Sequence, residues 1–106
     1  MTKQRIRQIT DNYDEWLITS LKKKKEAVVY LQVALEEYQN DGNLAAFLLA
    51  LRHVAEAQGG IGQLSPKANL NRESLYKTLS KNGNPKFQTI GLLLKGLGFQ
   101  FSIKAR

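Results

Sequence analysis

Apolar residues recur at helical spacing along most of the chain, in stretches separated by short polar punctuation. The pattern predicts an amphipathic helix over Asp14–Leu21, with Trp16, Leu17 and Leu21 on one face. A second is predicted over Glu26–Tyr38, where Ala27, Val28, Leu31, Leu35 and Tyr38 mark one face and Val29, Val33 and Ala34 widen it. Apolar coverage of that breadth predicts a buried helix. Asn40-Asp41-Gly42-Asn43 then ends one helix and starts the next, with Gly42 suited to a left-handed C-terminal position and Asn43 to an N-cap. Leu44–Gln58 is apolar on most sides and reads as the central core helix, stopped by Gly59-Gly60. A closing helix is expected over Phe87–Leu97, with Phe87, Ile90, Leu93, Leu94 and Leu97 apolar, Asn84 as N-cap and Pro85 at the first helical position. Gly91 and Gly96 within it are tolerable where they permit close approach of helices, across a dimer interface among other places.

Between the last two sits a tighter pattern. Ile61–Ala68 forms a short helix, Asn69-Leu70-Asn71 a turn, and Arg72–Leu79 a second short helix. A helix-turn-helix requires an inward apolar residue in its first helix (Leu64) and a small residue where the helices cross (Ser65). Its turn requires a residue that tolerates positive φ, which Asn69 does better than other non-glycine residues. Leu70 plugs the core, Asn71 caps the second helix, and Leu75 and Leu79 anchor it inward. Exposed on that helix are Arg72, Glu73, Tyr76 and Lys77, with Asn71 and Ser74 near its start.

In such a motif the N-terminal end of the second helix enters the DNA major groove. Arg72 can donate two hydrogen bonds to guanine N7 and O6, and Lys77 can reach a base or a phosphate. Glu73 can accept from cytosine N4 or hold Arg72 in position. Ser74 and the helix's first amides suit a phosphate. Lys81, Asn82, Asn84 and Lys86 follow at once and would line the backbone beside the groove.

Charge supports a polyanionic partner. The 106 residues carry 16 Lys and Arg against 9 Asp and Glu, a net +7. The surplus is not uniform: residues 59–106 hold eight basic residues and one acid, whereas residues 26–58 hold one and five. The C-terminal segment therefore carries the basic footprint expected of a nucleic-acid interface. There is no cysteine, hence no thiol chemistry, and the single histidine, His53, has no ligand set around it and reads as structural. No nucleophile–base arrangement or phosphate loop occurs, so neither an enzyme nor a cofactor is expected. No apolar run reaches the ~18 residues of a membrane span. The basic start Met1–Arg5 is not followed by an apolar stretch, and a cytoplasmic location is expected.

The runs Gly59–Gly62, Asn71–Lys77, Leu79-Ser80, Gly83-Asn84-Pro85 and Leu97-Gly98, with Tyr13–Leu17 and Tyr30–Glu37 upstream, resemble the addiction-module antidote proteins. These are HigA-type antitoxins with a Cro/lambda-repressor-like helix-turn-helix. The resemblance implies an antitoxin of a type II toxin–antitoxin module that neutralises a small RelE/ParE-like toxin and represses its own operon as a dimer. It places the DNA-facing positions on Asn71, Arg72, Glu73, Ser74, Tyr76 and Lys77. Three positions depart from the pattern. Pro66 lies inside the first helix of the motif, which should then be short, bent or partly 3₁₀. Ile61 stands where relatives of the wider repressor class carry a polar phosphate contact. Lys22–Lys25 replaces a helix start and marks continuous helix, a loop, a contact with an acidic surface or simply a solvated charge run.

The expected fold is an all-α small helical bundle with a short C-terminal strand or extended tail. Residues 1–42 form a helical extension packed on the same core, residues 43–98 the DNA-binding domain and residues 99–106 the tail. Phe99–Lys104 alternates with period two. It either pairs with a second copy as an antiparallel ribbon or packs Phe99 and Phe101 on its own chain. Tyr13, Trp16, Leu17 and Leu21 are the candidate toxin contacts. Two alternatives to the antitoxin are a stand-alone phage-type repressor without a toxin partner and an interaction module that no longer reads DNA.

Overall fold

The computed structural model describes residues 13–105; the basic start of the predicted N-terminal extension and Arg106 lie outside that range. Residues 13–20 are helical (α1), followed by α2 (Lys24–Asp41), α3 (Leu44–Ala57), α4 (Ile61–Lys67), α5 (Arg72–Thr78) and α6 (Phe87–Leu97). No strand occurs among the described residues, and the fold is all-α.

The turn between α1 and α2 falls within the lysine run, at residues 21–23. It is held from α3: the Gln58 side-chain amide donates to the carbonyls of Leu21 (2.7 Å) and Lys22 (3.1 Å), which a helix end leaves without intrahelical partners. All four lysines are exposed, and Lys24 lies over the ring of Phe99 at 5.7 Å. The next junction forms as its residues predict. Gly42 adopts φ 70° and donates to the Tyr38 carbonyl, while the Asn43 side chain accepts from the amide of Ala46.

Layering decides what is buried. α2 packs along α3, α3 meets α4, and α4 meets both α5 and α6. The central helix α3 accordingly supplies Phe47, Leu48, Leu51, Val54 and Ala55 to the core. By contrast, α2 is not the buried helix its composition predicts. Only Ala27 and Leu31 are buried, and Val29 and Val33 are about half exposed. It is an outer layer whose main partner is α3, so one stripe is covered. Across the α2–α3 seam the Tyr30 hydroxyl is hydrogen-bonded to His53 Nδ1 at 3.0 Å, and burial raises the Tyr30 pKa above its ordinary value. His53 is thus tied into the helix packing.

The closing helix differs from its prediction at its start. Its N-cap is Lys86, in extended conformation and without a side-chain cap, so Asn84 and Pro85 precede the helix rather than open it. Gly83 lies just before this segment. A Cβ there would fall 2.1 Å from the Thr78 carbonyl oxygen, so the chain runs close under the end of α5 before turning inward. Phe87, predicted on the buried face, is 76% exposed. Gly96 does permit close approach, but within the chain: a Cβ there would lie 2.9 Å from Leu64 Cδ1 and 3.2 Å from the Ala68 amide nitrogen, both of the α4 region.

After α6 the chain is extended over residues 99–105 and forms no strand. Phe99 packs against the core, and Phe101 stacks on Phe87 with ring centroids 4.9 Å apart and planes 15° apart. The aromatic residues of the tail therefore lie on their own chain. Among the described residues no helix is long and apolar enough to cross a membrane.

Candidate nucleic-acid interface

Helix α4 remains α-helical over seven residues despite Pro66. The amide that proline lacks would have bonded the carbonyl of Gly62, an exposed residue. The helix ends one residue later. Ala68 N donates to the Leu64 carbonyl at 2.8 Å, Asn69 N to Pro66 at 3.2 Å and Leu70 N to Ser65 at 3.0 Å. The last two bonds are the Schellman pattern, which needs a left-handed residue between them. Asn69 supplies it with φ 57°, the only positive φ outside glycine among the described residues. Ser65 is buried and its hydroxyl donates to the Leu70 carbonyl, so the small residue at the crossing also fastens the turn.

Asn71 then starts α5. Its side chain accepts from the Ser74 amide at 2.7 Å, satisfying one of the orphan donors of the first turn. Leu75 and Leu79 are 0% and 2% exposed and fix the helix to the core. At the far end the Ser80 hydroxyl donates to the Lys77 carbonyl at 2.7 Å. A seven-residue helix is too short to persist alone. Here caps at both ends and two leucine anchors hold it.

The ten residues predicted to face DNA are all exposed, on one continuous stretch from Asn71 to Lys86. Arg72, Glu73, Ser74, Tyr76 and Lys77 project from α5, while Lys81, Asn82, Asn84 and Lys86 lie on the segment leading to α6. Arg72 is not a free-standing side chain. Its guanidinium lies against the first turn of α4, where a Cβ on Gly62 would be 3.6 Å from Nη2. The sequence carries no sign of this seat, because a glycine one residue inside a helix looks only like a weak helix former. Ile61, beside it, is buried, so its side chain offers no contact to a phosphate.

The four predicted toxin contacts divide. Tyr13 and Trp16 are exposed and pack ring against ring at 6.1 Å. Leu17 and Leu21 are 7% and 2% exposed and belong to the core. Amphipathic spacing marks an apolar face without saying whether the same chain covers it. An apolar groove of about 460 Å³ runs between α2 and the tail, lined by Val28, Leu31, Leu35, Phe47, Phe99 and Phe101 among others. Among the described residues no three His, Cys, Asp or Glu side chains gather where they could hold a metal ion.

Against known proteins, the family described as "Probable addiction module antidote protein" matches over residues 12–105. A Haemophilus influenzae protein that carries the name "Uncharacterized protein" is 36% identical over 74 residues, which is 70% of this chain and 75% of the relative. No solved structure matches the chain.

Proposed function

This chain belongs to the family of probable addiction module antidote proteins, and on that premise we propose that it is the antitoxin of a type II module, of the HigA kind. It binds and neutralises a small RelE/ParE-like toxin in the cytoplasm and represses its own operon. It works by binding, with no catalytic role and no cofactor.

The DNA-binding part of the reading rests on α5, a short helix capped by Asn71, anchored by Leu75 and Leu79, and exposing Arg72, Tyr76 and Lys77. It lies within the segment whose surplus of seven positive charges equals the net charge of the whole chain. α4 and α5 then act as a helix-turn-helix of the Cro/lambda-repressor type, with α5 in the major groove. Arg72 reads guanine, supported from behind by the turn of α4, and Lys81 and Lys86 hold the flanking phosphates. The protein acts as a two-fold dimer on half-sites about one turn of DNA apart.

A gel shift on the promoter of the protein's own gene tests this. Binding at low salt that weakens steeply as salt rises is expected. Absence of any shift at low salt removes the repressor function.

A further inference from the structure

Among the described residues the outer face of α2 has no structural task. Val29 and Val33, one turn apart, are 54% and 48% exposed and lie opposite the buried Ala27 and Leu31. Among the described residues nothing covers them. Helix propensity does not call for them either, because β-branched residues are stiffer in helices than the Lys, Gln or Glu usual on a solvated face. The same helix exposes Glu26, Glu36, Glu37 and Asp41 with no Lys or Arg between Glu26 and Asp41. The nearby cations are the Lys22–Lys25 run at its start and Lys104 of the tail, which lines a groove with Glu36. In a chain of net charge +7, this is an apolar strip flanked along the helix, from Glu26 onward, by carboxylates alone.

We propose that this face is where the toxin docks, through a surface of apolar side chains ringed by Lys and Arg. The inference rests on the antitoxin reading. Complementary charge steers and registers protein partners, and here it selects a cationic one. Nucleic acid is repelled by the carboxylates. A second copy of this chain docked there would set Glu36 and Glu37 against their own copies. α3 stands between α2 and α4, so the toxin face and the DNA face are on different layers of the fold. A toxin held on α2 leaves α5 open, and the bound pair can sit on the operator.

The test uses the full chain and the purified product of the reading frame adjoining its gene. Binding is measured by titration at 50 and 300 mM salt, beside the gel shift on the promoter. Wild type is expected to bind at least tenfold more weakly at the higher salt. Val29→Gln with Val33→Gln should weaken the complex tenfold or more. Glu36→Gln with Glu37→Gln should weaken it similarly at low salt and flatten the salt dependence. Both double variants should keep wild-type helicity and the wild-type DNA shift. Toxin binding within twofold of wild type in both overturns the docking site. Loss of self-association instead of toxin binding in the valine variant assigns the face to a second copy and overturns it too. If wild type itself does not bind the neighbour's product, the antitoxin reading fails first and the docking site falls with it.

Discussion

Arg72 has its guanidinium against the first turn of α4, where a Cβ on Gly62 would meet it at 3.6 Å, an ordinary contact. A long cation whose head group already rests on a neighbouring helix loses less rotamer freedom on binding than a free one, and a planar fork suits a bidentate partner. Lys86, by contrast, is exposed at the cap of α6 without such a seat. The two residues should therefore fail differently. Arg72→Ala should cost ~1–3 kcal/mol of operator affinity and relax the preference at one base pair in each half-site. Lys86→Ala should weaken all sequences alike and lower the slope of affinity against salt. Competition binding on a set of single-base operator variants separates these outcomes, and unchanged affinity for Arg72→Ala would remove α5 as the reading helix. At this scale the sequence was legible wherever the cause was local. Asn69 and Asn71 act through their own side chains and backbone within three residues, and both do what their chemistry predicts. The seat of Arg72 joins positions ten apart in different helices, and nothing local announces it.

Among the elements, α6 shows how packing overrides propensity. Gly91 and Gly96 carry the same cost in an isolated helix, about 1 kcal/mol each relative to alanine. Their surroundings differ. A Cβ at Gly91 would meet only the Phe101 ring at 3.8 Å, an ordinary contact, whereas at Gly96 it would press on Leu64 and the backbone of Ala68. Gly91→Ala is therefore expected to stabilise the protein by ~0.5–1 kcal/mol. Gly96→Ala should destabilise it by ~1–3 kcal/mol, because α4 cannot withdraw without losing the core contacts that hold the turn. Urea unfolding of the two variants reads the difference, and equal stabilisation by both would show that α4 and α6 do not approach as closely as described. Helix α2 is the converse case. Its apolar breadth resembled burial, yet its position at the edge leaves half of that breadth in solvent.

The whole molecule sorts its charge and its apolar surface by layer. Basic residues collect on and after α5 and in the lysine run that opens α2, acidic ones along the rest of α2, and the tail carries Ile103 at 99% exposure two residues after Phe101, which stacks on Phe87. For the dimer proposed for operator binding, this extended tail offers an apolar edge with no strand partner among the described residues. Ile103→Asp should shift the protein to monomer in sedimentation velocity. It should also weaken binding to a two-half-site operator more than to an isolated half-site. A dimer that persists in this variant would place the two-fold interface elsewhere.

By itself, the sequence determined the order and approximate limits of the helices, the capped turn between α4 and α5, and the segment bearing the positive charge. Each depends on residues close together in the chain: apolar spacing, a capping side chain, an asparagine able to take positive φ. Tertiary structure alone decided which apolar faces are covered. It sent Leu17 and Leu21 inward and left Val29, Val33 and Phe87 outside, set Gly96 against α4, and laid Arg72 over Gly62. Burial is a property of neighbours, and the neighbours of α2 and α6 are chosen by how the helices stack rather than by the residues within either one.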